Sequence, residues 1–170
     1  MKPRSKHKSK LGSASNDAPQ KRPNTKRTGE FSEAAFLLKA TGLGFAVTKP
    51  WGDSERYDFI LDAGPRLWRV QVKGTASLRA GGYDVQSTYG IYGNREQGKR
   101  KACYTAVDID VLVAYIITHD AWYIIPVAVL APGQCLRFYP DDGCPRARFE
   151  HYREAWHLFG QKAKAARLGH

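Results

Sequence analysis

The sequence predicts one mixed α/β domain, with helices on the faces of a central sheet and a disordered basic arm at its start. Two observations lead to this prediction. Along the chain, a helical pattern is followed by several strand-like runs and then by a second helical pattern. The chain has 170 residues, and the roughly 140 that follow the arm suffice for one core but not for two domains.

The basic arm is residues 1–27. The chain carries 27 Lys and Arg against 16 Asp and Glu, a formal charge of +11. Nine basic residues and one acid fall in the arm and give it +8, and 18 basic residues against 15 acids leave +3 on residues 28–170. The arm has too few apolar residues to offset the entropy of ordering it. It can neutralise nucleic-acid phosphate, keep the protein soluble or act as a targeting signal, and we favour the first interpretation.

The predicted domain, residues 28–160, begins with a helix. Its apolar positions, at helical spacing, are Phe31, Ala34, Ala35 and Leu38. Thr28 supplies an N-cap and Gly42 a stop, which predicts a helix of about 13 residues. A short strand at 45–48 follows and ends before Pro50.

Residues 57–62 and 67–74 predict a β-hairpin, with 63–66 as its loop. A loop of four residues places Asp62 opposite Leu67 and Asp58 opposite Gln71. Because side chains alternate along a strand, the apolar residues of both strands fall on one face of the hairpin. Asp58, Gln71 and Lys73 then gather on the other face, and Asp62 is expected to serve the turn.

The remaining elements are four strands and a closing helix. The strands are predicted at 83–88, 111–118, 122–125 and 135–139, and the helix carries Phe149, Tyr152, Trp156 and Phe159. The run 111–118 is apolar on both faces, which predicts a central position, whereas 135–139 is expected at an edge. We expect Asp108 to act as a cap and Asp110 to orient a basic neighbour. A basic extension, residues 161–170, ends the chain.

No membrane span or structural metal site is expected. The longest apolar run, 111–117, is far shorter than the roughly 20 residues of a membrane helix, and the first residues lack the apolar segment of a signal peptide. The three cysteines form no CxxC pair, which is typical of a reducing compartment. The spacing of Cys135, Cys144, His151 and His157 matches no standard zinc site. We therefore expect a soluble, cytoplasmic protein.

The segment 79–104 is rich in loops and interleaves bases with aromatic residues. Its candidate nucleic-acid-binding residues are Arg79, Tyr83, Tyr92, Asn94, Arg95, Lys99, Arg100 and Lys101, with Tyr89 among them. Such a surface can follow phosphates and reach bases. The alternative is a solvated excursion without a function of its own.

The hairpin face that collects Asp58, Gln71 and Lys73 suits phosphodiester hydrolysis. That reaction needs a hard cation, an activated water and a group that stabilises the charge developing on phosphate. Carboxylate, amide and carbonyl oxygens are ligands that Mg²⁺ accepts, and a nearby ammonium can hold water or phosphate. The alternative is a half-exposed cross-strand ion pair between Asp58 and Lys73, which contributes at most about 1 kcal/mol.

Several short segments together match the motif pattern of a known protein family. They are Gly29-Glu30-Phe31-Ser32-Glu33 at the helix start, Pro50-Trp51-Gly52-Asp53, Arg56-Tyr57-Asp58, Arg69-Val70-Gln71-Val72-Lys73, and the runs 104–115 and 122–126. Over residues 28–127 the chain resembles the PD-(D/E)xK nuclease superfamily, above all its bacterial branch of group I intron homing endonucleases. Archaeal Holliday junction resolvases are more distant relatives. The resemblance implies a restriction-endonuclease-like fold.

The resemblance also implies an active site on the hairpin. Glu33, Asp58, Gln71 and Lys73 correspond to the family's catalytic residues. Asp58, Gln71, Glu33 and the main-chain carbonyl of Val72 would bind Mg²⁺, for which Mn²⁺ can substitute, and Lys73 would activate or position water.

Two positions depart from the family pattern. Tyr57, and not proline, precedes Asp58. Gln71 stands where many members have Glu, which removes one negative charge from the site and predicts weaker metal binding.

The implied function is a Mg²⁺-dependent DNA endonuclease that leaves a 5′-phosphate and a 3′-hydroxyl, and the resemblance suggests the homing type. A chain of this size is small for cutting both strands at a long site, so a homodimer or higher oligomer is expected, with DNA as partner and no small-molecule cofactor. The expected location is the bacterial cytoplasm, in association with the nucleoid. The alternatives are a Holliday junction or other structure-selective nuclease, a non-catalytic nucleic-acid-binding protein on the same fold, and an RNA-associated protein that binds through its arm.

Overall fold

The computed structural model describes residues 24–92, 99–133, 135–141 and 143–160, with the side chains of Tyr92 and Lys99 excepted. Most of the predicted arm, residues 1–23, and the basic extension, residues 161–170, lie outside the described residues. Asn94 and Arg95 also lie outside them.

Within the described residues, the chain forms one α-helix and ten strands. The helix is α1 (Thr25–Gly42), and the strands are β1 (Ala46–Thr48), β2 (Phe59–Asp62), β3 (Leu67–Thr75), β4 (Leu78–Arg79), β5 (Gly82–Gln86), β6 (Thr88–Tyr92), β7 (Lys99–Cys103), β8 (Val111–Ile116), β9 (Ala121–Pro126) and β10 (Cys135–Phe138). None of the described helices is long and apolar enough to cross a membrane.

A mixed five-stranded sheet forms the centre of the domain. Its strand order is β1-β2-β3-β8-β9, in which β3 and β8 are parallel and the other neighbours are antiparallel. All six residues of β8 are buried, which confirms the internal position predicted from its apolar run. Strand β10 lies at the edge of a second sheet of order β10-β5-β4, as predicted, and β6 pairs with β7.

The two faces of the central sheet are covered differently. On one face, Phe36 and Ala40 of α1 pack with the apolar residues of the hairpin. On the other, the second sheet packs its buried Val85 and Leu136 against β8 and β9. The mixed α/β class is confirmed. The expected flanking by several helices is not what the described residues show, because a small sheet takes the place of a helix on the second face.

The hairpin of β2 and β3 has the predicted register. Phe59 faces Val70 and Asp62 faces Leu67. Phe59, Leu61, Val70 and Val72 are buried in the core under α1, so one face of the hairpin is apolar. The Asp62 carboxylate accepts a hydrogen bond from the Gly64 N–H at 2.7 Å, which confirms its role in the turn.

Helix α1 begins four residues before the predicted start, because its N-cap is Asn24 and not Thr28, and it therefore begins inside the predicted disordered arm. The side-chain oxygen of Asn24 accepts from the Arg27 N–H at 3.2 Å, and Thr28 lies within the first turns. Asn caps a helix at least as well as Thr, and the lysine and arginine residues between them are good helix formers.

The predicted closing helix is wrong. Two short 3₁₀ turns, Glu150–Tyr152 and Trp156–Phe159, stand in its place. Between them, Arg153 bridges to Tyr123 of β9, and the Glu154 N–H donates to the Trp122 carbonyl at 2.7 Å. Bonds to the sheet therefore interrupt the helical pattern, although Phe149, Trp156 and Phe159 are buried as the spacing predicts.

The segment 79–104 contains more structure than predicted. The single weak strand expected at 83–88 is divided into β5 and β6, and β4 and β7 are additional. Strand β5 is held by β10, which is about 50 residues away in sequence, and such pairing leaves no local pattern.

Two aspartates before β8 act as predicted. Asp108 accepts hydrogen bonds from the N–H and the hydroxyl of Thr105, both at 2.8 Å, and so caps the turn. Asp110 accepts from the Arg69 N–H at 2.8 Å and from Arg66 Nη2 at 3.0 Å. It therefore orients two arginines and ties the start of β8 to β3.

Candidate active site

Asp58 and Gln71 meet across the hairpin, as the register predicts. The Asp58 N–H donates to the Val70 carbonyl at 2.8 Å, which extends the ladder one residue beyond β2. The Asp58 carboxylate accepts two hydrogen bonds on one oxygen, Oδ2, from Gln71 Nε2 at 2.5 Å and from the Val72 N–H at 2.7 Å. The hairpin therefore holds this carboxylate through one side-chain donor, the Gln71 amide, and one main-chain donor, the Val72 N–H.

The carboxylate of Asp58 is electrostatically strained. Burial raises its pKa to about 6, and the charge of Glu33 adds to the increase, although the Val72 N–H, Lys73 and Gln71 act in the opposite direction. The ionised form therefore lacks full compensation from the protein. A carboxylate in this condition is typical of a functional site, where a further positive charge completes its environment.

The amide of Gln71 lies between two oxygens of the candidate metal site. Its nitrogen is 2.5 Å from Asp58 Oδ2 and 3.3 Å from the Val72 carbonyl oxygen. Asp58 Oδ2 and the Val72 carbonyl oxygen therefore both face the position that Gln71 Nε2 occupies. Rotation of the buried amide would present Oε1 to the same point and complete a set of three oxygen donors.

The donor set fits a hard cation such as Mg²⁺, because it offers carboxylate, amide and carbonyl oxygens. No group of three or more His, Cys, Asp or Glu that could hold a metal occurs in the part of the chain that the structure describes. A cation here would accordingly depend on Asp58 and on the neutral oxygens of Gln71 and Val72. The cysteines and histidines between 135 and 157 form no such group among these residues either.

Lys73 lies beside this pair on the same face of β3. Burial lowers the pKa of its ammonium, while the charges of Asp58 and Glu33 favour the protonated form. The ammonium also lies 5.6 Å from the centre of the Tyr104 ring. Lys73 is thus a half-buried cation on the same face as the half-buried carboxylate of Asp58.

Glu33 reaches the rim of the site from α1. Its Oε2 accepts a hydrogen bond from Lys49 Nζ at 2.7 Å, and its side chain is 26% exposed. It influences the pKa values of Asp58 and Lys73 through its charge, and its direct partner is Lys49.

The close approach of α1 to β3 brings Glu33 to the site, and the cause of this approach was not among the predictions from the sequence. A Cβ atom added to Gly74 would lie 1.8 Å from Ser32 Oγ and 2.7 Å from Ser32 Cβ. Ser32 is buried and immediately precedes Glu33. A glycine next to Lys73 in a strand was the available signal, since glycine inside a strand often marks a close backbone approach.

The candidate nucleic-acid-binding residues are placed in several environments. Arg79, Arg100 and Lys101 are exposed. Tyr92 and Lys99 end and begin paired strands. The placement of Tyr83 on a binding surface is corrected. Its side chain is only 5% exposed and packs in the core between the two sheets, and its hydroxyl accepts a hydrogen bond from the Thr118 hydroxyl at 3.0 Å. Tyr83 is therefore a core residue.

A family model and a solved structure match this chain. A family model described as PD-(D/E)XK endonuclease matches residues 23–158. Among solved structures, a bacterial homing endonuclease, I-Ssp6803I, is similar with a TM-score of 0.69 and 31% sequence identity, covering 86% of this chain and 100% of that chain. A search of curated proteins gives no match.

Proposed function

Since the chain belongs to the PD-(D/E)XK endonuclease family, we propose that it is a Mg²⁺-dependent DNA endonuclease of the homing type. The observation that carries the proposal is the meeting of Asp58, Gln71 and Lys73 on one face of the β2–β3 hairpin. The similarity to a bacterial homing endonuclease favours this type over a junction-selective nuclease.

The proposed metal ligands are Asp58 Oδ2, the Val72 carbonyl and Gln71 Oε1. Mg²⁺ bound there would neutralise a phosphate oxygen and lower the pKa of a coordinated water. Mn²⁺ can take its place, because it accepts the same oxygen ligands. The polar face of the hairpin fixes these donors, so little reorganisation is needed beyond rotation of the Gln71 amide.

Lys73 is proposed to hold the attacking water or the negative charge that develops on the scissile phosphate. Because the Lys73 side chain is half-buried, its interaction with phosphate is stronger than it would be at a fully exposed position. Glu33 is proposed to support the metal or its water from the rim. This role requires Glu33 to exchange its contact with Lys49 for one with the site.

The proposal is tested by incubating supercoiled plasmid with the full chain in Mg²⁺ and in EDTA. We expect nicking in Mg²⁺ only, and we expect Lys73→Ala to lower its rate about a hundredfold, as removal of one group that stabilises a developing charge does. The matched control is Lys39→Ala, because the Lys39 ammonium pairs with Glu154 at 3.3 Å and not with the hairpin. Absence of metal-dependent nicking by the wild type, or equal nicking by Lys73→Ala, would contradict the proposal.

A second prediction concerns the departure at position 71. Gln71→Glu places a second carboxylate within hydrogen-bond distance of Asp58, so the two charges repel unless a cation lies between them. We expect the melting temperature to fall in EDTA, and the Mg²⁺ concentration for half-maximal nicking to fall about tenfold.

The control for this prediction is Gln86→Glu on β5, which adds the same charge where the side chain contacts Cys135. Titrating Mg²⁺ in both the nicking assay and thermal unfolding gives the two readouts. An unchanged Mg²⁺ requirement in Gln71→Glu would show that position 71 is not a ligand.

We further propose that DNA is cut by a homodimer or higher oligomer, because a duplex has two strands and this hairpin supplies one site per chain. The basic residues 1–27 are proposed to add sequence-independent affinity for DNA phosphate.

A further inference from the structure

Arg56 lies two residues before Asp58, and the reaction proposed above assigns it no role. Its guanidinium lies over the ring of Tyr89, 4.3 Å from the ring centre. Tyr89 packs against Tyr104 with 5.1 Å between ring centres, and Lys73 Nζ lies 5.6 Å from the centre of the Tyr104 ring. Two aromatic rings therefore lie between the cation of Arg56 and that of Lys73.

In the part of the chain that the structure describes, no carboxylate forms an ion pair with Arg56. By contrast, Arg66 and Arg69 share Asp110. Arg56 is also exposed. A guanidinium restrained on an aromatic face loses less conformational entropy on binding, and its planar fork of N–H donors matches phosphate.

Arg56 also acts on the interior of the site. Burial raises the pKa of the Tyr104 hydroxyl and the charge of Asp58 adds to this, whereas Arg56 lowers it. The guanidinium is therefore close enough to influence a group that also senses Asp58. This places its charge on the catalytic face and not on a remote surface.

We propose that Arg56 binds a backbone phosphate of the DNA next to the scissile phosphate, and that Tyr89 is the positioning residue for its guanidinium. The inference rests on the proposed function. Lys73 is half-buried on the same face as Asp58, which suits the reacting phosphate. Arg56 is exposed beyond two aromatic rings and would reach a neighbouring phosphate. Duplex DNA carries one charge per about 1.7 Å of its axis, so a second phosphate is always near.

The test is the salt dependence of DNA binding by the full chain in EDTA, where no cleavage is expected. A fluorescently labelled duplex of arbitrary sequence is a sufficient probe, because phosphate contacts are independent of sequence. Arg56→Ala is expected to weaken binding about tenfold and to reduce the slope of log K against log salt by about 0.9, the value for one lost phosphate contact. Arg56→Lys is expected to restore the slope, since it keeps the charge.

The matched control is Arg66→Ala. Arg66 also lies over an aromatic ring, 3.9 Å from the centre of Trp68, but it already pairs with the Asp110 carboxylate at 3.0 Å. We expect its slope to equal that of the wild type. Thermal unfolding identifies variants that remain folded, and an unchanged slope in folded Arg56→Ala would overturn the proposal.

Positioning by Tyr89 is tested separately with Tyr89→Leu and Tyr89→Phe. Because the phenylalanine variant keeps the ring under the guanidinium, it is expected to bind DNA like the wild type, whereas the leucine variant is expected to lose affinity. Equal loss in both would contradict a role for the ring.

Cleavage in Mg²⁺ distinguishes this inference from the proposed function. Arg56→Ala is expected to raise KM with little change in kcat, which is the result of losing a contact present before and during the reaction. If the wild type does not cleave, the proposed nuclease function fails, while the salt slope still decides whether Arg56 contacts phosphate. A fall in kcat with unchanged KM would overturn the assignment of Arg56 to a neighbouring phosphate.

Discussion

Replacement of Asp58 by Asn is expected to lower the rate of Mg²⁺-dependent plasmid nicking by about a thousandfold. Asp58 supplies the carboxylate oxygen of the proposed donor set on the hairpin, and Asn removes its charge while keeping its size. An Asn oxygen can still accept the hydrogen bond from the Val72 N–H, so the hairpin should stay intact. The loss would therefore come from chemistry and not from unfolding.

Asp58→Asn is also expected to change the stability of the folded protein. Because burial raises the pKa of Asp58 to about 6, its ionised form is less favourable in the folded protein than in the unfolded chain at neutral pH. Asp58→Asn is thus expected to unfold, in EDTA, at the same or a higher temperature than the wild type. Loss of activity without loss of stability is the usual sign of a site kept under strain for function.

Asp62→Asn is the control for Asp58→Asn. Asp62 lies at the end of the same strand, but its carboxylate binds the Gly64 N–H in the turn. The nicking rate of this variant should be close to that of the wild type. An Asp58→Asn protein that nicks plasmid at the wild-type rate would remove Asp58 from the site.

Gly74→Ala is expected to destabilise the protein by about 1–3 kcal/mol and to lower the nicking rate as well. The added Cβ would lie 1.8 Å from Ser32 Oγ, so α1 must move away from β3. Since Ser32 precedes Glu33, this movement also withdraws Glu33 from the rim of the site. Chemical denaturation and the plasmid assay measure the two effects.

The origin of this effect is tested by a double-mutant cycle with Ser32→Gly, which removes both atoms that the new methyl group would meet. We expect Gly74→Ala to cost much less in that background than in the wild type, because the clash is then absent. Gly90→Ala on β6 is the matched control, since a Cβ added there meets nothing within 4 Å. If Gly74→Ala is as mild as Gly90→Ala, close packing does not hold α1 in place.

The hairpin shows how far a local pattern can determine a site. A loop of four residues fixes which residues face each other, and alternation fixes which face each side chain takes. These two rules predict that Asp58 and Gln71 lie opposite each other, and in the structure Gln71 Nε2 lies 2.5 Å from Asp58 Oδ2. The internal position of β8 could also be predicted from the sequence, because a strand that is buried on both faces is apolar along its whole length.

Other features depend on partners far away in the sequence. The closing segment has helical spacing, yet its backbone bonds to β9, so it forms two short turns. Tyr83 lies among basic and aromatic residues that predict a binding surface, yet pairing of β5 with β10 turns its ring into the core. In both cases the local pattern was compatible with two structures, and the free energy of burial against a distant strand selected one of them.

By itself, the sequence determined the β2–β3 hairpin, its register and the identity of its polar face, because these follow from chain geometry over a few residues. Only the tertiary structure decided how closely α1 approaches β3 at Gly74 and that Lys49 pairs with Glu33. It also decided that the rings of Tyr89 and Tyr104 lie between the charged groups of Arg56 and Lys73. These contacts join segments separated by many residues. Their formation depends on how the sheets and the helix pack together, which no short stretch of sequence encodes.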